Sequence, residues 1–186
     1  MVRVEHLDMT FFHIAKCAGS TVEKWLHQNV GGDVYDNDIR HSSPAQLAKI
    51  FPEGFGWSFC VVRNPWDRMV SWYSFFNGSK KLGLSFEQYV DTIFFDESVR
   101  NTNMYNRPGQ QINTAKDVSY VVKFENLVKD FEVVQQRANC FEPLQHYNKS
   151  RENNKYVQYY TRQDHIDLIG QHYRDDIKQF GYSFGE

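Results

Sequence analysis

A lysine and three small residues lead into a pair of hydroxyls in the stretch FFHIAKCAGST, residues 11–21. Those residue types at that spacing suit the binding of a phosphate or sulfate. An apolar run reads as a buried strand, a tight turn carries Lys16, and a helix starts at the hydroxyls. At such a helix start the first backbone N–H groups have no partner within the helix, and the helix dipole presents its positive end. Lys16 adds a full charge, and Ser20 and Thr21 add donors. The helix then buries Val22, Trp25 and Leu26 at helical spacing.

A second stretch, VVRNPWDRMVS at residues 61–71, repeats the arrangement with an arginine. Asn64 suits an N-cap and Pro65 the first helical position, with Asp67 in the first turn. Arg63 therefore stands at the seam of strand and helix, where a guanidinium can grip a phosphate by two N–H groups. Ser71 lies about two turns further along the helix. Two anion sites at neighbouring strand ends imply a ligand anionic at both ends. The G-x-x-x-x-G-K-[ST] pattern is missing, because Gly19 follows Lys16, and no carboxylate stands ready for magnesium. Asp67 is accounted for by capping.

These residues need a scaffold. Short apolar runs at 10–14, 58–63 and 119–124 read as strands buried on both faces. Helical patterns lie between and after them at 21–28, 44–51, 65–76 and 86–95, and a last helix at 163–180 stops at Gly181. The alternation predicts an α/β fold with a mainly parallel sheet, whose sites lie beyond the carboxyl ends of the strands, where Lys16 and Arg63 both fall. Residues 78–84, 101–114 and 148–154 read as loops.

The chain has 186 residues, enough for one domain with a sizeable core, expected to span 1–186. It is 41% hydrophobic and 24% charged, an ordinary globular balance, and its 16% aromatic content predicts a core of Phe, Tyr and Trp. A formal charge of −2 argues against a general nucleic-acid binder. No apolar run is long enough to span a membrane, and the N-terminus lacks a secretion signal. Cys17, Cys60 and Cys140 are odd in number and far apart. They predict reduced thiols in a reducing compartment, hence a cytoplasmic protein, and no C-x-x-C pair suggests zinc.

The two anion stretches together resemble those of the PAPS-dependent sulfotransferases, in particular the Golgi carbohydrate group that modifies chondroitin and related glycans. PAPS, 3′-phosphoadenosine 5′-phosphosulfate, is anionic at both ends of its ribose. The resemblance covers nearly the whole chain. It implies a P-loop-like three-layer fold with helices flanking the sheet, and transfer of a sulfuryl group from PAPS to a hydroxyl of a glycan or small molecule. By this resemblance Lys16, Cys17, Ala18, Gly19, Ser20 and Thr21 form the 5′-phosphosulfate loop, and Arg63 and Ser71 hold the 3′-phosphate. The stretch HYNKSRENNKYVQYY is similar to the family's late loop, which places Lys149 and Ser150 on the nucleotide. YVVKFENLVKDF resembles a third family segment. The chain departs from the pattern at Ala15, often Pro, at Cys17, often Thr, and at Lys123, usually Arg. The Golgi enzymes carry an anchor and stem. Their absence here fits either a trimmed catalytic domain or a free cytoplasmic enzyme, and the early first strand and unpaired cysteines favour the second.

Sulfuryl transfer needs a base for the acceptor hydroxyl, a group titrating near neutrality. The resemblance places a histidine base just before the helix that precedes the second strand, at His41, with Lys16 neutralising the leaving oxygen. Glu23 is the alternative base, and no metal is called for. Two competing functions stay open at this point: a P-loop-like nucleotide kinase or hydrolase, and a non-catalytic nucleotide-binding protein.

Overall fold

The computed structural model describes residues 1–35, 39–80, 83–98, 107–145 and 156–186, with side chains outside 77–80. In chain order its elements are β1 (Val2–Val4), β2 (Met9–Phe12), α1 (Gly19–Val30), β3 (Asp33–Val34), α2 (Pro44–Leu47), β4 (Trp57–Val62), α3 (Pro65–Lys80), α4 (Phe86–Phe95), α5 (Ile112–Ala115), β5 (Tyr120–Lys123), α6 (Leu127–Ala138), α7 (Gln163–His172) and α8 (Arg174–Phe180). They fall into two compact units that alternate along the chain: Met1–Arg63 with Gln111–Asn148, and Asn64–Gln110 with Lys149–Glu186.

The first unit holds all five strands, in the order β3-β1-β2-β4-β5. β2, β4 and β5 run parallel, and β1 runs antiparallel to both its neighbours. The parallel centre pairs Phe11 with Phe59 and Phe59 with Tyr120. β2 is buried at every position and β4 at all but its first, as expected for strands covered on both faces. Because side chains alternate, Phe11 and Phe59 share one face, with ring centroids 5.0 Å apart. Helices α1 and α6 cover that face: Phe131 of α6 lies 6.2 Å from Phe59 and meets Trp25 of α1 edge-on at 5.0 Å. Phe12 points the other way, against Phe55.

The parallel strands fall where the apolar runs place them. β1, β3, α5 and α6 are additions, and α5 falls mostly within the stretch 101–114 read as loop. β1 and β3 have 3 and 2 residues, too short for a period to register. α6 does carry a signal, burying Leu127, Phe131, Val134 and Ala138 on one stripe, and Asp130 in its first turn accepts from the Lys123 N–H at 2.9 Å. α2 is capped by Ser43 and Gln46 in a reciprocal box but ends at Leu47, short of the expected 51.

In the second unit, α3 begins as its sequence signals. Asn64 is buried, and its Oδ1 accepts from Trp66 N at 3.1 Å. The helix runs on to Lys80, into part of the expected loop at 78–84. Its core includes Met69, Val70, Tyr89, Val90, Ile93, Ile169 and Tyr173. The single terminal helix expected over 163–180 is two helices, α7 and α8, parted at Tyr173. The hydroxyl of this buried tyrosine donates to the Pro108 carbonyl at 2.6 Å, a long-range tether no helical periodicity announces. Gly181 closes α8 at φ 66°, as its position predicts.

Candidate functional site

The turn after β2 is closed by Cys17 N–H donating to the Ile14 carbonyl at 3.3 Å. Lys16 and Ala18 both take left-handed backbone angles, φ 67° and 59°, without being glycine. Such residues persist only where their surroundings enforce them, and they cluster where a backbone must aim at something. Ala18 caps α1 with its carbonyl alone, which accepts from Thr21 and Val22; no side chain caps the helix. The start of α1 is therefore built like an anion cradle, with Ser20 exposed at its mouth.

Gly19 answers to a different constraint. A Cβ there would lie 1.9 Å from both Cδ2 and Nε2 of the His13 ring. His13 is buried beneath the turn, so only glycine lets the helix start this close to the strand.

At the end of β4, Arg63 is 6% exposed. Its Nη1 donates to the Lys16 carbonyl at 3.2 Å, and its guanidinium carbon sits 4.0 Å over the Phe124 ring. The two cationic motifs thus meet. Gln111 braces the junction: its Oε1 accepts from Arg63 N at 2.8 Å and from Cys17 Sγ at 3.2 Å, and its Nε2 donates to the Arg63 carbonyl at 2.8 Å. Cys17 is a small buried thiol locked into this brace. Burial, then the neighbouring Arg63 charge, bring the Lys16 ammonium down to about 8. An anion in the cradle would relieve that repulsion.

Behind the turn lies a second polar cluster. His13 Nδ1–H donates to Glu23 Oε1 at 2.7 Å, since a carboxylate oxygen can only accept. Arg40 donates to the same carboxylate through Nε at 3.2 Å and Nη2 at 2.5 Å. Burial pushes the Glu23 carboxyl up, but the bonds and charges of His13 and Arg40 outweigh it and hold the group at about 2. Burial, outweighing the pull of Glu23, lowers His13. Glu23, the alternative base, is thus engaged through both of its carboxylate oxygens. His41 is exposed, with its ring 4.6 Å from that of His13, and its Nδ1–H donates to the His13 carbonyl at 3.0 Å. The proton on Nδ1 leaves Nε2 with its lone pair, the form a general base requires.

Of the residues expected at the site, Lys16, Cys17, Ala18, Gly19, Ser20, Thr21, Arg63 and His41 all belong to the first unit. Ser71 is buried within α3 in the second. Lys149 and Ser150 lie outside the described residues. Sequence reasoning missed Gln111 and Arg40. Gln111 sits in what read as loop, and nothing local marks a glutamine that bonds 48 residues away. Arg40 is adjacent to His41, but its pairing with Glu23 exists only in three dimensions.

A family model described as the Sulfotransferase family matches residues 1–183. No curated protein and no solved structure matches the chain.

The contact between Gly19 and His13 makes a direct prediction. In Gly19→Ala the added methyl must displace a ring that Glu23 holds in place, so the variant should lose about 1–3 kcal/mol of stability, the usual cost of overpacking. Urea denaturation followed by fluorescence measures it, and wild-type stability would show that the ring is free to move.

Proposed function

Because the chain belongs to the sulfotransferase family, we propose that it transfers a sulfuryl group from PAPS to an acceptor hydroxyl on a carbohydrate or small molecule. The observation that carries this is the pairing of Lys16 and Arg63 at the start of α1, which no side chain caps: the Arg63 guanidinium bonds the Lys16 backbone carbonyl beside a helix N-terminus. In this assignment the α1 start and Lys16 hold the 5′-phosphosulfate. Arg63 and Ser71 are given to the 3′-phosphate, and Lys149 and Ser150 to the nucleotide, on the sequence resemblance alone. His41 Nε2 takes the proton of the acceptor hydroxyl, the acceptor oxygen forms a bond to sulfur, and the bond from sulfur to the 5′-phosphate oxygen breaks in line. Lys16 neutralises the charge developing on that leaving oxygen. The whole chain serves as one catalytic domain in this proposal, and it works in the cytoplasm. No helix among the described residues is long and apolar enough to cross a membrane.

Calorimetric titration with PAP, the desulfated product, and with ATP tests the donor assignment. PAP should bind more tightly without magnesium; equal or stronger binding of ATP would return the chain to the kinase or hydrolase alternative. The affinity should also depend on pH in a defined sense. Lys16 titrates at about 8 in the free protein, so below that pH it is already charged and affinity is flat. Above it, binding must take up a proton, and PAP affinity should fall about fivefold between pH 8 and pH 9. Lys16→Ala should flatten that slope.

His41→Ala tests the base. It should lower turnover of any acceptor found in a hydroxyl panel by about a hundredfold or more, the usual contribution of a general base, while PAP affinity stays within about threefold. Full turnover in the variant would remove His41 from this role.

A further inference from the structure

The assignment of His41 as base leaves open what holds its ring in the reactive form, because an exposed histidine carrying one hydrogen bond to a backbone carbonyl is free to exchange tautomers. The cluster behind the turn supplies a tether. Glu23 grips the ring of His13 through Oε1, and the carbonyl that His41 bonds belongs to this same His13. Glu23 also grips Arg40 through both carboxylate oxygens, and Arg40 is joined by a peptide bond to His41. One carboxylate therefore fixes the acceptor of the His41 bond and the backbone that delivers its donor. From the first turns of α1 it reaches both ends of a contact it does not itself make.

We infer that Glu23 is a positioning residue, which acts through His13 and Arg40 to hold His41 Nδ1–H on the His13 carbonyl and so keeps Nε2 bare toward the acceptor. This rests on His41 serving as base in the proposed transfer. The charged and titratable groups that face one another here are His13, Glu23, Arg40 and His41. His13 cannot take the role of His41, because its own Nε2 is covered by Gly19. The same Gly19 opens the helix assigned to the donor, so one cluster sets both the floor of the donor turn and the orientation of the base. Glu23 is the residue common to both.

The test uses histidine-labelled protein and long-range proton–nitrogen correlation spectra at mildly alkaline pH. A His41→Gln spectrum identifies the His41 signals among the seven histidines. In the wild type, the Nδ1–H form of His41 should exceed the other by about tenfold, the weight of one modest hydrogen bond. Glu23→Gln keeps an acceptor for His13 but turns amide N–H groups toward the Arg40 donors. The excess should fall to about threefold or less, with PAP affinity within about threefold of wild type. Should the buried substitution fail to fold, Arg40→Gln breaks the same grip from its more exposed end and should give the same change. The double variant should be no worse than either single one, because both remove one interaction.

An unchanged His41 spectrum in folded variants, or additive effects in the double variant, overturns the tether. Failure of the wild-type protein to bind PAP overturns the donor assignment, and with it the catalytic meaning of the tether, without touching the tautomer result. The two failures are thus read from different measurements.

Discussion

The guanidinium of Arg63 donates to the carbonyl of Lys16, and much of the site follows from that bond. A buried guanidinium is tolerated only where its N–H groups are bonded. Here the bond goes to the backbone of the residue that carries the other cation, so the turn and the end of β4 cannot separate without exposing a loss on both sides. Burial, and after it the nearby Arg63 charge, depress the Lys16 ammonium. A fold that keeps two cations this close at a helix start bears a cost that bound negative charge removes.

Two polar clusters share the work around this bond. Gln111 saturates both backbone groups of Arg63 and the thiol of Cys17. Glu23 is balanced by Arg40 and hydrogen-bonded by His13. Networks in which each polar group has partners stiffen what they surround, because any displacement strands a donor or acceptor away from water. The aromatic layer of Phe11, Phe59, Phe131 and Trp25 anchors β2 and α1 below. The left-handed angles at Lys16 and Ala18 are thus enforced by their surroundings.

Much of this was legible in residue order. Lys16 on a turn between an apolar run and Ser20-Thr21, and Arg63 before Asn64-Pro65, announce strand, turn and helix by local chemistry alone, and the helices start within a few residues of those signals. α6 was legible too, through Leu127, Phe131, Val134 and Ala138, which recur at helical spacing. The break at Tyr173 was not legible. Its flanks keep one helical stripe, and only the distant Pro108 carbonyl explains where the tyrosine points.

By itself the sequence determined where along the chain the three parallel strands and several of their helices lie, the two cations that follow strands, and the charge balance that argues against a nucleic-acid partner. These rest on periods and caps acting over a few residues, where short-range sterics decide. Tertiary structure alone decided that Gly19 is needed because His13 lies beneath it, that Gln111 braces Arg63, and that Glu23 is paired with His13 and Arg40. Each depends on groups brought together from 6 to 94 positions apart in the chain. Burial there changes both the cost of a charge and the partners available to it, and neither can be read from composition or spacing.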